Sequence, residues 1–289
     1  MILITGASGF LGQHLTCEFS KISEVYGLGN SNALGCRARV DLRDGKELLQ
    51  TLNEVQPQTI IHAAALRDPD VCLERPEDAQ KIHVDATKIM AEWCKKKKAR
   101  LVYISTDYVF DGKNPPYNEE SQPNPVNLYG ATKLAGEKEA KNCPNHLITR
   151  ISLQYGTTKR PELSFIHKAV KKLRSGEKVE FDNVQCRFPS LSSDVAKALV
   201  ELEARNYQGL LHMSNNKAIT RYEMWRQIAL AFNCDPALVI DTGKPPAQTA
   251  SRPVDCTFDI SRYLSLGLPR FHTFEEGLRL IRDDVLATL

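Results

Sequence analysis

In the stretch NLYGATK, residues 127–133, a tyrosine and a lysine stand four positions apart, at Tyr129 and Lys133. The pattern LYGATKLAGEKEA, from Leu128 onward, predicts a helix, which puts both side chains on one face. A phenol has an ordinary pKa near 10, too high for easy proton exchange at neutral pH. A nearby ammonium favours the phenolate and is expected to pull that value down. Such a pair suits a particular chemistry, in which the phenol protonates a carbonyl oxygen while hydride reaches the carbonyl carbon. By itself YxxxK is frequent by chance and reads equally as a surface helix pair. A hydroxyl cluster gives it weight. STDYVFDG, residues 105–112, closes an apolar run. At the carboxyl end of a parallel strand, Ser105 or Thr106 can hydrogen-bond the same carbonyl oxygen.

A second motif supplies a source of hydride. TGASGFLG places Gly6, Gly9 and Gly12 directly after the apolar run MILIT. Glycines permit a tight turn, let the backbone approach a pyrophosphate and allow close helix–strand packing. The following helix N-terminus offers free N–H groups and partial positive charge. In this strand–turn–helix setting the motif predicts a dinucleotide-phosphate cradle, with Ser8 inside it. Lys133 is then placed to hold the nicotinamide ribose. No carboxylate stands at the end of the second strand, where GLGNSN (27–32) is followed by Arg37 and Arg39. A carboxylate would bind a ribose 2′-hydroxyl, whereas arginine favours a 2′-phosphate. The expectation leans to NADP, with Arg37 on the phosphate and NAD still open. Asp41 and Leu42 are assigned to the adenine pocket.

The elements that must position these groups follow from periodicity. Residues 1–5, 24–28, 59–63, 100–105 and 146–150 read as strands, and 10–20, 44–54, 76–97 and 128–142 as helices. Strand–helix alternation at this spacing predicts an α/β fold, a Rossmann-type doubly wound parallel sheet. Its nearly continuous apolar strands suit burial on both faces. The organisation expected is a dinucleotide-binding domain over 1–155. A smaller C-terminal substrate lobe covers 156–289, with some chain crossing back to the sheet. In that second half KVEFD (178–182) and LLHMS (210–214) read as strands, and 161–175 and 192–205 as helices. TRYE (220–223) and TFEE (273–276) are capping boxes opening two more. The proline-rich loop 114–127 is of the length that usually serves a site.

Composition narrows the class. The chain has 289 residues, 42% hydrophobic and 25% charged, as soluble globular proteins do. A formal charge of +3 is too mild to call for nucleic acid or a membrane surface. No apolar run is long enough to span a bilayer, and MILITGASGF lacks the features of a signal peptide. Eight scattered cysteines form no CxxC pair, which predicts reduced thiols in the cytoplasm. The histidines show no metal-ligand spacing, so no metal is expected. His62 reads as a packed histidine. Asp68, Asp70 and Glu74 read as solvated or capping a helix start.

Together, TGxxGxxG, HAAA (62–65), STDYVFDG with PPYNEE, and YGATKLAGE resemble the extended short-chain dehydrogenase/reductases. Within them the likeness is to the dTDP-4-dehydrorhamnose reductase branch. SRPVDCTFD (251–259) matches a late segment of that branch, so the resemblance covers nearly the whole chain. It implies NAD(P)H-dependent reduction of a 4-keto-6-deoxy sugar nucleotide, with Thr106, Tyr129 and Lys133 as the catalytic set. Gly6, Phe10 and Leu11 would sit beside the cofactor phosphates, and Ala63, Ala64 and Ala65 would border the nicotinamide, with Ser105 nearby. Substrate contacts are expected from Arg67, Val109, Tyr155, Arg187 and Arg252.

The chain is also similar to the regulatory beta subunits of methionine adenosyltransferase, in DPDVCLERP (68–76), QCRFPS (185–190) and YEMWRQIALAFN (222–233). That implies a different role, an NADP-binding partner of a methionine adenosyltransferase. A sugar-nucleotide epimerase and a homodimeric assembly stay open. Two departures stand out. Leu153 and Gln154 occupy a segment where the reductases usually carry tryptophan. His83 replaces the family's asparagine before VDA, where a neutral imidazole can take over the amide's hydrogen bonds.

Overall fold

Strands and helices alternate as far as residue 151, and each apolar run is buried between layers. In the computed structural model, residues 1–30, 35–215, 217–245 and 249–289 are described; Ser31 and Asn32 of the GLGNSN segment lie outside them. The strands are β1 (Ile2–Thr5), β2 (Val25–Gly29), β3 (Ala38–Arg39), β4 (Thr59–His62), β5 (Arg100–Thr106), β6 (His146–Ile151) and β7 (Gly209–Met213). They form one seven-stranded parallel sheet in the order β7-β6-β5-β4-β1-β2-β3. Chain order reverses between β1 and β4, which opens a crevice at the carboxyl ends of the strands.

The principal helices are α1 (Phe10–Phe19), α2 (Gly45–Val55), α3 (Ala86–Lys97), α4 (Leu128–Ala140), α5 (Phe165–Arg174), α6 (Ser192–Ala204), α7 (Arg221–Ala231) and α8 (Phe274–Ala287). Alternation along β1 splits its side chains between two cores. Ile2 and Ile4 pack with Leu15 and Phe19 of α1 and Leu199 and Leu202 of α6. Leu3 packs with Leu48 and Leu52 of α2 and Met90 and Trp93 of α3. The sheet is therefore covered on both faces. A third core, among α5, α7 and α8, holds the smaller lobe together around Ile166, Ile228 and Leu278. Both capping boxes are formed, at Thr220–Glu223 and Thr273–Glu276.

LLHMS is part of the chain that crosses back to the sheet: it is β7 and pairs with β6. Its Leu211, His212 and Met213 are fully buried there, which periodicity alone could not reveal. The helix expected over 76–97 is broken into Pro76–Gln80, a π-helical turn Lys81–Asp85, and α3. The wider turn carries His83, whose ring bridges to α4.

Candidate active site

A cavity of about 550 Å³ opens where β1, β4, β5 and β6 end. At one end lies the glycine loop. Gly6 has φ +67, and a Cβ there would sit 2.8 Å from Ala64 Cα. A Cβ on Gly12 would run into the Gly6 carbonyl oxygen. The backbone of Ser8, Gly9, Phe10 and Leu11 lines the cavity where α1 begins. The N-cap, Gly9, offers no side chain to satisfy the first N–H groups of α1. Open donors, a positive helix end and glycines that let the backbone come close fit the phosphates of a dinucleotide. Asp41, Leu42, Ala63, Ala64 and Ala65 line the same cavity, with Ala64 packed against Gly6.

At the other end stand Thr106, Tyr129 and Lys133. Thr106 is the last residue of β5 and caps the turn after it, its hydroxyl oxygen accepting from the Tyr108 N–H at 3.2 Å. Tyr129 and Lys133 come from α4, which starts at Asn127, whose side chain accepts from the Gly130 N–H at 2.9 Å. The Thr106 hydroxyl donates to Asp107 Oδ1 at 3.0 Å and stands beside the Tyr129 phenol. All three residues border the cavity.

The electrostatics differ from the sequence expectation. Burial raises the Tyr129 phenol above its ordinary value; the neighbouring Thr106 hydroxyl opposes the rise, and Asp107, Cys72 and Tyr108 add to it. Lys133 does not reverse this, because burial acts on it too and brings its ammonium down to about 7, against Glu137 and Cys72. Its Nζ lies 4.0 Å from the centre of the Tyr103 ring, a cation–π contact. The phenol is thus held protonated at neutral pH.

Buried hydrogen bonds fix this frame. His83 Nε2 accepts from the Leu66 N–H at 2.9 Å, so its Nδ1–H faces Thr132 Oγ1 at 2.8 Å. Thr132 in turn donates to the Leu128 carbonyl. Burial, then Lys133, holds the His83 ring well below the usual histidine range and so neutral. The imidazole thereby ties the segment after the alanines to the helix that carries Tyr129. His62 is likewise neutral, at about 3 through burial, with Nδ1 2.7 Å from Thr5 Oγ1. Below Lys133, Glu137 and Arg150 form an ion pair at 2.8 Å, and both are almost wholly buried.

Several expected contacts lie elsewhere. Arg37 turns outward to Glu24, at 3.2 Å, and does not face the cleft. Val109 is fully buried in the main core. Tyr155 is also fully buried, against Phe274 and below Gly277. Arg252 is held by Asp70, at 2.7 Å, and does not line the cavity. Ser105 borders the cavity with its hydroxyl donating to Glu137 at 2.5 Å, as the Thr106 hydroxyl donates to Asp107 at 3.0 Å. Asp68 caps the short helix Pro69–Glu74.

Arg67 and Arg187 do line the cavity. Arg187 is held by the carbonyls of Cys186 and Pro253 and by Gln185 Oε1, its guanidinium 6.0 Å from the centre of the Tyr108 ring. Sequence reasoning missed Asp107, Tyr108 and Arg160. The first two sit inside STDYVFDG, so the motif already pointed to them; Arg160 lies in a loop with no motif. Burial raises the Asp107 carboxyl to about 6, with Arg187 opposing. Among the described residues no cluster of three or more His, Cys, Asp or Glu side chains could hold a metal, and no helix is long and apolar enough to cross a membrane.

A doubly wound parallel sheet, a glycine loop after its first strand and a Thr–Tyr–Lys set across the cleft define the extended short-chain dehydrogenase/reductase fold. The match is more specific than that. The RmlD substrate binding domain family spans residues 1–286, and the chain belongs to this family, that of the dTDP-4-dehydrorhamnose reductases. It is 37% identical to methionine adenosyltransferase 2 subunit beta of Bos taurus, over 96% of this chain and 86% of that one. A hypothetical dTDP-4-dehydrorhamnose reductase from Sulfolobus tokodaii superposes with a TM-score of 0.83 at 34% identity, covering 92% of this chain and 94% of that one. The dTDP-4-dehydrorhamnose reductase of Bacillus anthracis, solved in complex with NADP, gives 0.87 at 28% identity, with 98% of each chain covered.

Proposed function

We propose that this chain binds NADP or NAD in the cleft and reduces the keto group of a sugar nucleotide, a 4-keto-6-deoxy sugar as in its reductase relatives. The observation that carries the reading is the Tyr129 phenol, beside Thr106 and one turn from Lys133, in the same cavity as the glycine cradle. The residues fit a dinucleotide: Ser8 to Gly12 for the phosphates, Asp41 and Leu42 for the adenosine, Ala63 to Ala65 and Lys133 toward the nicotinamide. When bound in its reduced form, it would supply the hydride. Tyr129 gives its phenolic proton to the carbonyl oxygen, and Thr106 orients that oxygen. A phenol kept protonated is the right state for a donor. Lys133, near 7, can return a proton at working pH.

Oxidation of NADPH, followed by absorbance with a 4-keto-6-deoxy sugar nucleotide, tests the reading. Tyr129→Phe is expected to lower kcat by about 10²–10⁴-fold while NADPH binding persists. Unchanged turnover in that variant would remove the proton-donor role.

A second reading has its own support. Identity to methionine adenosyltransferase 2 subunit beta, at 37%, exceeds that to either reductase structure, at 34% and 28%. On this reading the chain is a dinucleotide-binding partner of a methionine adenosyltransferase. No turnover with any keto sugar nucleotide, together with co-purification of that enzyme, would decide for it.

A further inference from the structure

Residues 157–163 run beside the cavity, which Arg160 and Leu163 line, and are tied down at both ends. At the glycine-loop end, His14 Nε2 meets the Thr157 carbonyl at 2.9 Å. Gln13 Oε1 accepts from the Lys159 N–H at 3.0 Å, and Gln13 Nε2 donates to the Ser8 carbonyl at 3.2 Å. One glutamine thus joins the segment to the phosphate cradle. At the other end the Leu163 carbonyl accepts from Arg67, just past the alanines, at 3.3 Å. Between these anchors Arg160 faces the cavity. Its Nε donates to Glu162 at 2.8 Å, and that carboxylate is 62% exposed.

We propose that Arg160 is an anion clamp, carried on this strap, for the diphosphate of the bound dinucleotide. The inference rests on the dinucleotide reading above. An exposed ion pair such as Arg160–Glu162 contributes little, so Glu162 yields readily to a better partner. A phosphate offers that partner through charge-assisted, bidentate hydrogen bonds. The charge balance agrees. Among the described residues, the charged groups lining the cavity are Arg67, Lys133, Arg160, Arg187, Asp41 and Asp107. Asp41 is already engaged by Arg43, at 2.7 Å, leaving a cationic surplus suited to a polyanion. A sugar nucleotide also carries a diphosphate. The strap, however, docks on the first turn of α1, while Arg187 stands beside Tyr108 next to the Thr106 end.

Fluorescence titration of the full chain with NADPH, NADH and a sugar nucleotide tests this. Arg160→Gln is expected to raise Kd for NADPH and NADH alike by about 10-fold, since both share the diphosphate. Glu162→Gln, which frees the guanidinium, is expected to tighten both. Arg160→Lys, which keeps charge but not the fork, is expected to fall between wild type and Arg160→Gln. Unchanged dinucleotide affinity in Arg160→Gln, or weakening confined to the sugar nucleotide, overturns the clamp while the dinucleotide reading stands. Wild-type protein that binds neither dinucleotide overturns both.

Discussion

The two ends of the cleft are built from different materials. The glycine-loop end is backbone: consecutive residues of one turn, a helix terminus and three alanines. The Thr106–Tyr129 end is side chains brought from β5, α4 and the Cys186–Arg187 strand, set in a frame of buried hydrogen bonds and ring contacts. A backbone site needs only the turn to form. A side-chain site needs the whole frame beneath it, so it should be the more fragile to single substitutions.

Three measurements bear on that contrast. Glu137 lies beneath Lys133 and pairs with Arg150 where water is excluded. Glu137→Ala leaves a buried, unpaired guanidinium and is expected to cost about 3–5 kcal/mol in urea unfolding. A small loss there would mean that the side-chain end is less dependent on its frame than its geometry implies.

Asp107 gives the next effect. Its carboxyl rises from 3.8 to about 6 on folding. A raised carboxyl favours the protonated folded state, so its stabilising contribution is full below pH 3.8 and is lost as pH rises through about 6. Asp107→Asn is therefore expected to gain stability relative to wild type between about pH 4 and 7, by up to roughly 3 kcal/mol. Parallel melting curves for the two proteins across that range would contradict it.

The smallest effect belongs at the backbone end. Arg37 pairs with Glu24 on the surface. Arg37→Ala is expected to change stability by less than about 0.5 kcal/mol and to leave NADPH affinity within error. A marked loss of affinity for NADPH but not NADH would restore Arg37 to the 2′-phosphate.

The same contrast explains what the sequence alone makes legible. The sheet and the glycine loop are local patterns, and five of the seven strands stand out as apolar runs in the first half. Tyr129 and Lys133 share a helix, so their spacing is enough. Val109, Tyr155 and Arg252 are expected at the substrate end, yet the first two fill cores and the third is claimed by Asp70. Which long-range partner captures a side chain is decided by tertiary packing. Arg160 is invisible for the opposite reason: the strap's ties to His14, Gln13 and Arg67 bring it to the cavity. The phenol's acidity also escapes sequence reasoning, since spacing reports a neighbouring charge but not the desolvation that outweighs it.

The position of β7 bears on how the protein is made. The strand beside β6 is drawn from residues 209–213, after the small lobe has begun. During synthesis, β6 emerges with its outer edge unpaired, and its hydrogen-bonding groups wait for roughly sixty further residues to leave the ribosome. The dinucleotide half therefore does not mature ahead of the rest: its sheet closes only when the later part of the chain arrives to complete it.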